Sequence, residues 1–256
     1  MLNIAARARR LFSHPLLRVA TTKANRSEHR RAHWDLADKS DTIPSLPAFS
    51  GATPLVDLPI LSLDTETTGL DPKLDRIISL AGAPLLHHRL YLHQASNFLI
   101  NPGRPIPVVA TTIHGITDID VANAAPFADH AARIETLIQG YVLLGHNILF
   151  DTTILQHEIA RLRDGWQLPP LLDTLLLYAT VQPQARTYGL DHAARKLRIS
   201  LAGRHTALGD ALIALDLFYR LLPLLAARGI LTLAQAQAAS NETMDRLRDR
   251  HRQGDD

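Results

Sequence analysis

The sequence predicts an α/β domain built on a mixed central sheet of about five strands flanked by helices. Three observations predict it. Short apolar runs of strand length come early in the chain, and helical periodicities dominate later, with one further strand between them. A Gly-Leu-Asp-Pro turn at 69–72 joins the first two strands as antiparallel neighbours. With 256 residues, 46% of them hydrophobic, the chain can bury a sizeable core and suits one medium domain with appendages.

The elements follow in order. Residues 1–57 read as a basic N-terminal arm and a Pro-rich linker. Within 1–35 there are eight Arg or Lys against Glu28 and Asp35, a net +6, and the other 221 residues carry 19 basic and 23 acidic side chains, a net −4. Such an arm is a solvated basic helix, a handle for a polyanion or, being poor in acids, a mitochondrial transit peptide. Pro44, Pro47, Pro54 and Pro59 mark 40–59 as irregular. Residues 58–228 hold the main domain. Leu58–Leu63 is a short apolar run that reads as a buried strand, Arg76–Ala83 as a second, and 88–99 as a third. A loop with Pro102, Pro105 and Pro107 follows. Phe127, Ala131, Ile134 and Ile138 recur at helical spacing over 126–139. Tyr141–Leu144 is a fourth strand, and 151–163, 173–180, 189–197 and 206–228 read as helices. Residues 229–256 form a polar C-terminal helix or tail, helical over 232–251 and ending in Arg246, Arg248, Arg250 and Arg252.

Composition excludes several classes. The chain has no cysteine, which removes disulfides, thiolate metal sites and a cysteine nucleophile. No run of about 18 uninterrupted apolar residues marks a membrane span, and no long apolar region marks a secretory signal. A cytoplasmic location without a membrane partner is the expectation.

Three motifs carry chemistry. The first strand ends in Asp64-Thr65-Glu66-Thr67-Thr68-Gly69. Strand side chains alternate faces, so Asp64 and Glu66 point the same way. Two carboxylates on one face repel unless a cation lies between them, and hard oxygen ligands suit Mg²⁺ or Mn²⁺. Taken alone, the string also describes a solvated strand end followed by a turn. The second motif, His146 through Asp151, follows the fourth strand at once. It places Asp151 near a helix N-terminus, where a capping aspartate is the simpler explanation. The third is His205-Thr206-Ala207-Leu208-Gly209-Asp210. Residues five apart differ by about 140° around a helix, so His205 belongs on the loop before the helix that carries Asp210. Of the other candidates, His87, His88 and His93 read as surface or edge residues, His157 and His192 as packing or surface residues, and Asp173 as a helix cap. Trp34 and Trp166 read as packing residues.

Taken together and in this order, the motifs resemble the DnaQ-like 3′–5′ exonucleases of the DEDDh type, which include the proofreading epsilon subunit of bacterial DNA polymerase III and RNase T. The resemblance runs from about Leu58 to Arg228. Thr112-Ile113-His114-Gly115-Ile116-Thr117 and Leu172-Asp173-Thr174-Leu175 match two further family segments. It implies an RNase H-like fold and two divalent cations, Mg²⁺ or Mn²⁺. By the same resemblance, Asp64, Glu66 and Asp210 would bind the first cation. Asp64 would bridge to the second, with Asp151 close by, and His205 would be the general base. His114 would contact the terminal nucleotide, and Thr67, Thr68 and Gly69 would line the pocket for its sugar, with Asn147 and Phe150 of the second motif also assigned to substrate. The implied reaction is hydrolysis from a 3′ end that releases 5′-mononucleotides, with DNA favoured over RNA and proofreading or repair as the setting. Two alternatives stand beside it: RNA 3′ trimming of the RNase T type, and a catalytically silent adaptor, whose mark would be a lost carboxylate. A DNA polymerase is a partner the resemblance suggests, although 229–256 shows no Gln-rich apolar clamp-binding motif.

Overall fold

The computed structural model describes residues 35–253, side chains of His251 and Gln253 apart. The basic segment 1–34, including Trp34, and residues 254–256 lie outside the described residues.

The sheet grows around β2 (Ile60–Thr67). This strand pairs antiparallel with β3 (Ile77–Leu86) and parallel with β6 (Val142–Gly145). Being central, it is covered on both faces, which is why Ile60-Leu61-Ser62-Leu63 reads as a nearly continuous apolar run. The order is β1-β4-β3-β2-β6-β7, with β5 also on β3. Here β1 is Asp35–Leu36, β4 Arg89–Leu90, β5 Ser96–Leu99 and β7 Leu171–Asp173.

Among the described residues the sheet thus has seven strands, not about five. The third strand expected over 88–99 is broken in two. His87 and His88 both have positive φ, 50° and 60°, which makes a tight hairpin turn into β4. A 3₁₀ turn at Leu92–Gln94 then separates β4 from β5. Ten-residue β3 is long enough to seat both, β4 against Leu85–Leu86 and β5 against 79–82. The Pro-rich loop after β5 also contains two helices, α1 (Val108–His114) and α2 (Asp118–Val121). Pro107 sits at the N-cap of α1, where its missing N–H costs nothing. In α2, Asp120 accepts from both the N–H and the hydroxyl of Thr117.

Among the described residues six further helices complete the fold: α3 (Phe127–Ile138), α4 (Ile148–Ala160), α5 (Thr174–Val181), α6 (Leu190–Lys196), α7 (Ala207–Ala226) and α8 (Leu233–Gln253). They divide between the sheet's two faces. Leu61 and Leu63 of β2 pack with α3 and α4, through Phe127, Ile134, Ile154 and Leu155. Ile60 points the other way, into a core with Ile213, Leu217 and Phe218 of α7 and Leu177 of α5. Ser62, two residues on, donates from Oγ to the Ala211 carbonyl at 2.6 Å. This division decides what each residue at the end of β2 can reach. Trp166 packs, partly buried, against the α3/α4 core.

The irregular stretch before β2 is docked on the body. Leu55 N–H donates to Leu231 O at 2.8 Å, and the N–H groups of Leu233 and Ala234 donate to Thr53 O and Gly51 O. From there α8 runs along α5, with Leu233 and Ala236 buried and the Thr180 and Thr243 hydroxyls 2.8 Å apart. Among the described residues, no helix is long and apolar enough to cross a membrane.

Candidate active site

The end of β2 is where the two layers meet. Even-numbered residues of β2 face α7, so Asp64 and Glu66 extend the row begun by Ile60 and Ser62. Asp210 lies in the first turn of α7 and faces them. One carboxylate oxygen from each of Asp64, Glu66 and Asp210 lies within 4.8 Å of the other two. Three hard oxygen donors so arranged fit a divalent cation such as Mg²⁺ or Mn²⁺.

Asp151 arrives from the opposite face. Thr65 points toward α4, and its backbone N–H and hydroxyl both donate to Asp151 Oδ1, at 2.9 and 2.6 Å. Asp151 is therefore not a helix cap. The N-cap of α4 is Asn147, held in the left-handed region at φ 62° and giving no side-chain cap bond. Asp151, four residues into the helix, is 5% exposed and reaches back to the strand.

Burial drives the electrostatics. It raises the Asp64 carboxyl well above the usual range, and the charges of Asp151, Asp210 and Glu66 add to the effect. Glu66 is pushed up to about 8 by burial and then by Asp210. Burial lifts Asp151 to about 7 despite the two Thr65 bonds that oppose it. Asp210 is raised by burial too, against the pull of Arg204 and His205. Crowded, partly desolvated carboxylates hold protons in place of a cation, and a bound cation reverses that preference.

His205 precedes Thr206, the N-cap of α7, as the spacing required. Its φ is +64°, its side chain is exposed, and its backbone N–H donates to Asp210 Oδ1 at 3.2 Å. The turn that carries it lies tightly on α7. A Cβ at Gly209 would fall 1.9 Å from the Gly203 carbonyl oxygen, so only glycine fits there. His114, at the end of α1, is buried, and its Nδ1 accepts the Ile116 N–H at 3.0 Å. That bond leaves the ring proton on Nε2, beside the Thr67 backbone, and burial lowers the His114 pKa and keeps the ring neutral.

The Thr67-Thr68-Gly69 turn is fixed from below. Thr67 Oγ1 donates to Gly69 O at 2.6 Å and Thr68 Oγ1 to Asp75 Oδ1 at 2.7 Å. A Cβ at Gly69 would sit 2.5 Å from Asp75 Oδ2. Arg76 follows in the same turn, and Glu158 of α4, 1% exposed, takes it in two bonds of 2.6 and 3.0 Å. Asp151 and Glu158 are seven residues apart on one face of α4, so two carboxylates pin this helix to β2 and the start of β3. Asn147 and Phe150 stand at the head of α4, Asn147 as its N-cap and Phe150 in its first turn. The bond observed for Asn147 is from its backbone N–H to Asp173 Oδ1, at 2.9 Å. Asp173 also caps α5 through the Leu175 N–H.

Two residues escaped the sequence reading. Glu158 had no motif to mark it. Arg204 was legible only as one of several local basic residues, yet its guanidinium contacts Asp210 Oδ2 and Asp191 Oδ1. Its place directly before His205 was the only available signal.

A strand-end Asp-x-Glu facing a helix-borne aspartate, with a fourth carboxylate from across the sheet, defines the class: a candidate divalent-cation site on an RNase H-like α/β sheet. The chain belongs to the RNase_T family, described as Exonuclease, whose profile matches residues 61–218. It is 39% identical over 183 residues to a DNA polymerase III subunit epsilon-like protein of Rhodobacter capsulatus, an alignment covering 70% of this chain and 26% of that protein. It is 33% identical over 165 residues to the DNA polymerase III subunit epsilon of Rickettsia prowazekii, covering 62% of this chain and 72% of that one. The chain therefore spans about a quarter of the first relative's length and most of the second's. Among solved structures, E. coli Exonuclease I in complex with a dT13 oligonucleotide shares the fold. Its TM-score is 0.59 at 21% identity, over 67% of this chain and 42% of that one. Exonuclease X in complex with 5′ overhanging duplex DNA gives a TM-score of 0.55 at 22% identity, over 71% of this chain and 99% of that one.

Proposed function

We propose that this protein is a 3′–5′ exonuclease that uses two divalent cations, Mg²⁺ or Mn²⁺, to hydrolyse DNA from a free single-stranded or frayed 3′ end, releasing 5′-mononucleotides. The observation that carries the reading is the convergence of the Asp64, Glu66 and Asp210 oxygens within 4.8 Å. Asp64, Glu66, Asp210 and Asp151 are the residues that would hold the cations, the first three converging on one of them. When bound, the cations supply Lewis-acid charge to the attacking and leaving oxygens of the phosphodiester.

The chain's own residues do the rest. Thr65 keeps the Asp151 oxygen in place and favours its ionised form. His205, exposed at the mouth, takes the proton of the attacking water as general base. Neutral His114, its tautomer set by Ile116, presents Nε2–H near Thr67, where the terminal nucleotide and its sugar sit against the Thr67-Thr68-Gly69 turn. DNA is favoured as substrate because the relatives are named as subunits of a DNA polymerase, and the same names make a polymerase the natural partner. A cytoplasmic setting accords with such a partner.

The test uses 5′-labelled DNA and RNA of one sequence, each ending in a 3′-hydroxyl or a 3′-phosphate. The 3′-hydroxyl DNA should shorten stepwise with Mg²⁺ or Mn²⁺ and persist in chelator, while the 3′-phosphate strand resists. Faster loss of RNA would assign the site to RNA trimming. Equal loss of blocked and free DNA would overturn the 3′-end reading.

A further inference from the structure

Asp210 has no idle oxygen. Oδ1 accepts the His205 N–H at 3.2 Å, and Oδ2 is held by Arg204 Nη1. The same guanidinium uses Nε to bind Asp191 Oδ1 of α6, at 2.5 Å. Arg204 thus spans two carboxylates of different character. Asp210 is buried and belongs to the trio, whereas the Asp191 side chain is 38% exposed and is shared with Arg195 at 3.1 Å. A cation bound at Asp210 and a guanidinium on the same carboxylate repel each other at this short range. The backbone around Arg204 is set by positive φ at Gly203 and His205, so the freedom to part lies in the Arg204 side chain, which is 26% exposed.

We propose that Arg204 is a tethered counter-cation: it neutralises Asp210 while the site is empty of metal and withdraws onto Asp191 when a divalent cation binds, so that the Arg204–Asp191 pair sets the site's metal affinity. The inference rests on the metal-site reading above. The simpler role for this ion pair is to fasten α6 to α7. In that case removing Arg204 lowers stability alike with and without metal, and metal affinity stays put or weakens.

The test is Mn²⁺ binding by the full chain without nucleic acid, followed by the electron paramagnetic resonance of free Mn²⁺ at pH 8.5. Arg204→Met should bind Mn²⁺ about tenfold more tightly, since the cation no longer displaces a charge-assisted hydrogen bond. Arg204→Gln, which keeps the polarity and loses the charge, should move the same way and covers a failure of the Met variant to fold. Asp191→Asn should weaken binding several-fold, because Arg204 is left with Asp210 alone. That effect should vanish in the Arg204→Met background. Unchanged or weaker Mn²⁺ binding by the Arg204 variants overturns the inference, as does an Asp191→Asn effect that survives without Arg204. Asp210→Asn separates the two readings. If it binds Mn²⁺ as well as wild type, the metal-site reading itself fails.

Discussion

Thr65→Val tests the assignment of Asp151 at the level of one hydroxyl. Valine keeps the β-branched shape of Thr65 and removes only the Oγ1–H that donates to Asp151 Oδ1 at 2.6 Å, leaving the backbone bond of 2.9 Å. Thr65 is 8% exposed and Asp151 5%, so water does not readily replace the lost donor. The cost depends on which form of Asp151 loses it. A hydrogen bond to a charged acceptor is worth about 1.5–3 kcal/mol net and one between neutral groups about 0.5–1.5 kcal/mol. Asp151 titrates at about 7 in the fold, so it is largely neutral at pH 5.5 and ionised at pH 8.5. Urea unfolding in chelator should therefore show Thr65→Val destabilised by roughly 0.5–1.5 kcal/mol at pH 5.5 and roughly 1.5–3 kcal/mol at pH 8.5. The difference of about 1.2 kcal/mol between the midpoints corresponds to an upward shift of about 0.9 in the Asp151 pKa. Other ionisations near the site change similarly in both proteins and cancel in the comparison. An equal loss at the two pH values would mean that Asp151 holds the same charge at both and is not the titrating partner of Thr65.

Three further outcomes follow from the same geometry. Gly209→Ala forces a Cβ toward the Gly203 carbonyl; it should cost about 1–3 kcal/mol in stability but disable exonuclease activity, because the displaced turn carries Arg204 and His205. Full activity in a folded Gly209→Ala protein would contradict the packing described. Glu158→Ala leaves Arg76 without its buried partner; unfolding should show a loss of roughly 2–3 kcal/mol, below the ~3–5 kcal/mol of a fully buried pair because Arg76 is 31% exposed, and no measurable loss would show that the pair is not a pin. Finally, Glu66 and Asp151 titrate at about 8 and about 7, both above their unfolded values, so the stability they contribute is fully present below those values and is lost as pH rises through 7–8. The metal-free protein should thus melt at lower temperature at pH 8.5 than at pH 5.5, and Mg²⁺ should raise the melting temperature far more at pH 8.5. An equal rise at both would count against carboxylate-bound metal.

Much of this site was legible in the sequence, for physical reasons that can be named. Strand alternation placed Asp64 and Glu66 on one face, and the structure puts that face against α7. The helical angle between positions five apart excluded His205 from α7, and it lies just before the cap. Features made by contacts far along the chain were not legible. Asp151 at a helix head resembles a cap because its true donor, Thr65, lies 86 residues earlier. Three-residue β7 is hidden because Leu171–Asp173 runs directly into the leucine-rich start of α5, with no change of pattern between them. The helices α1 and α2 are masked by prolines that read as a loop, one of which, Pro107, in fact opens a helix. The break in the third strand depended on two consecutive histidines at positive φ, a conformation the residue type does not announce.

In the proposed reaction Asp64, Glu66 and Asp210 together serve hydrolysis of nucleic acid from its 3′ end. The most direct measurement follows 5′-labelled single-stranded DNA with wild type, Asp64→Ala and Asp210→Ala proteins, each shown to be folded, in Mg²⁺. Wild type should give a ladder shortening from the 3′ end, and either variant none. A variant that cuts at the wild-type rate, or a wild type that releases the label as a mononucleotide from intact strands, would contradict it.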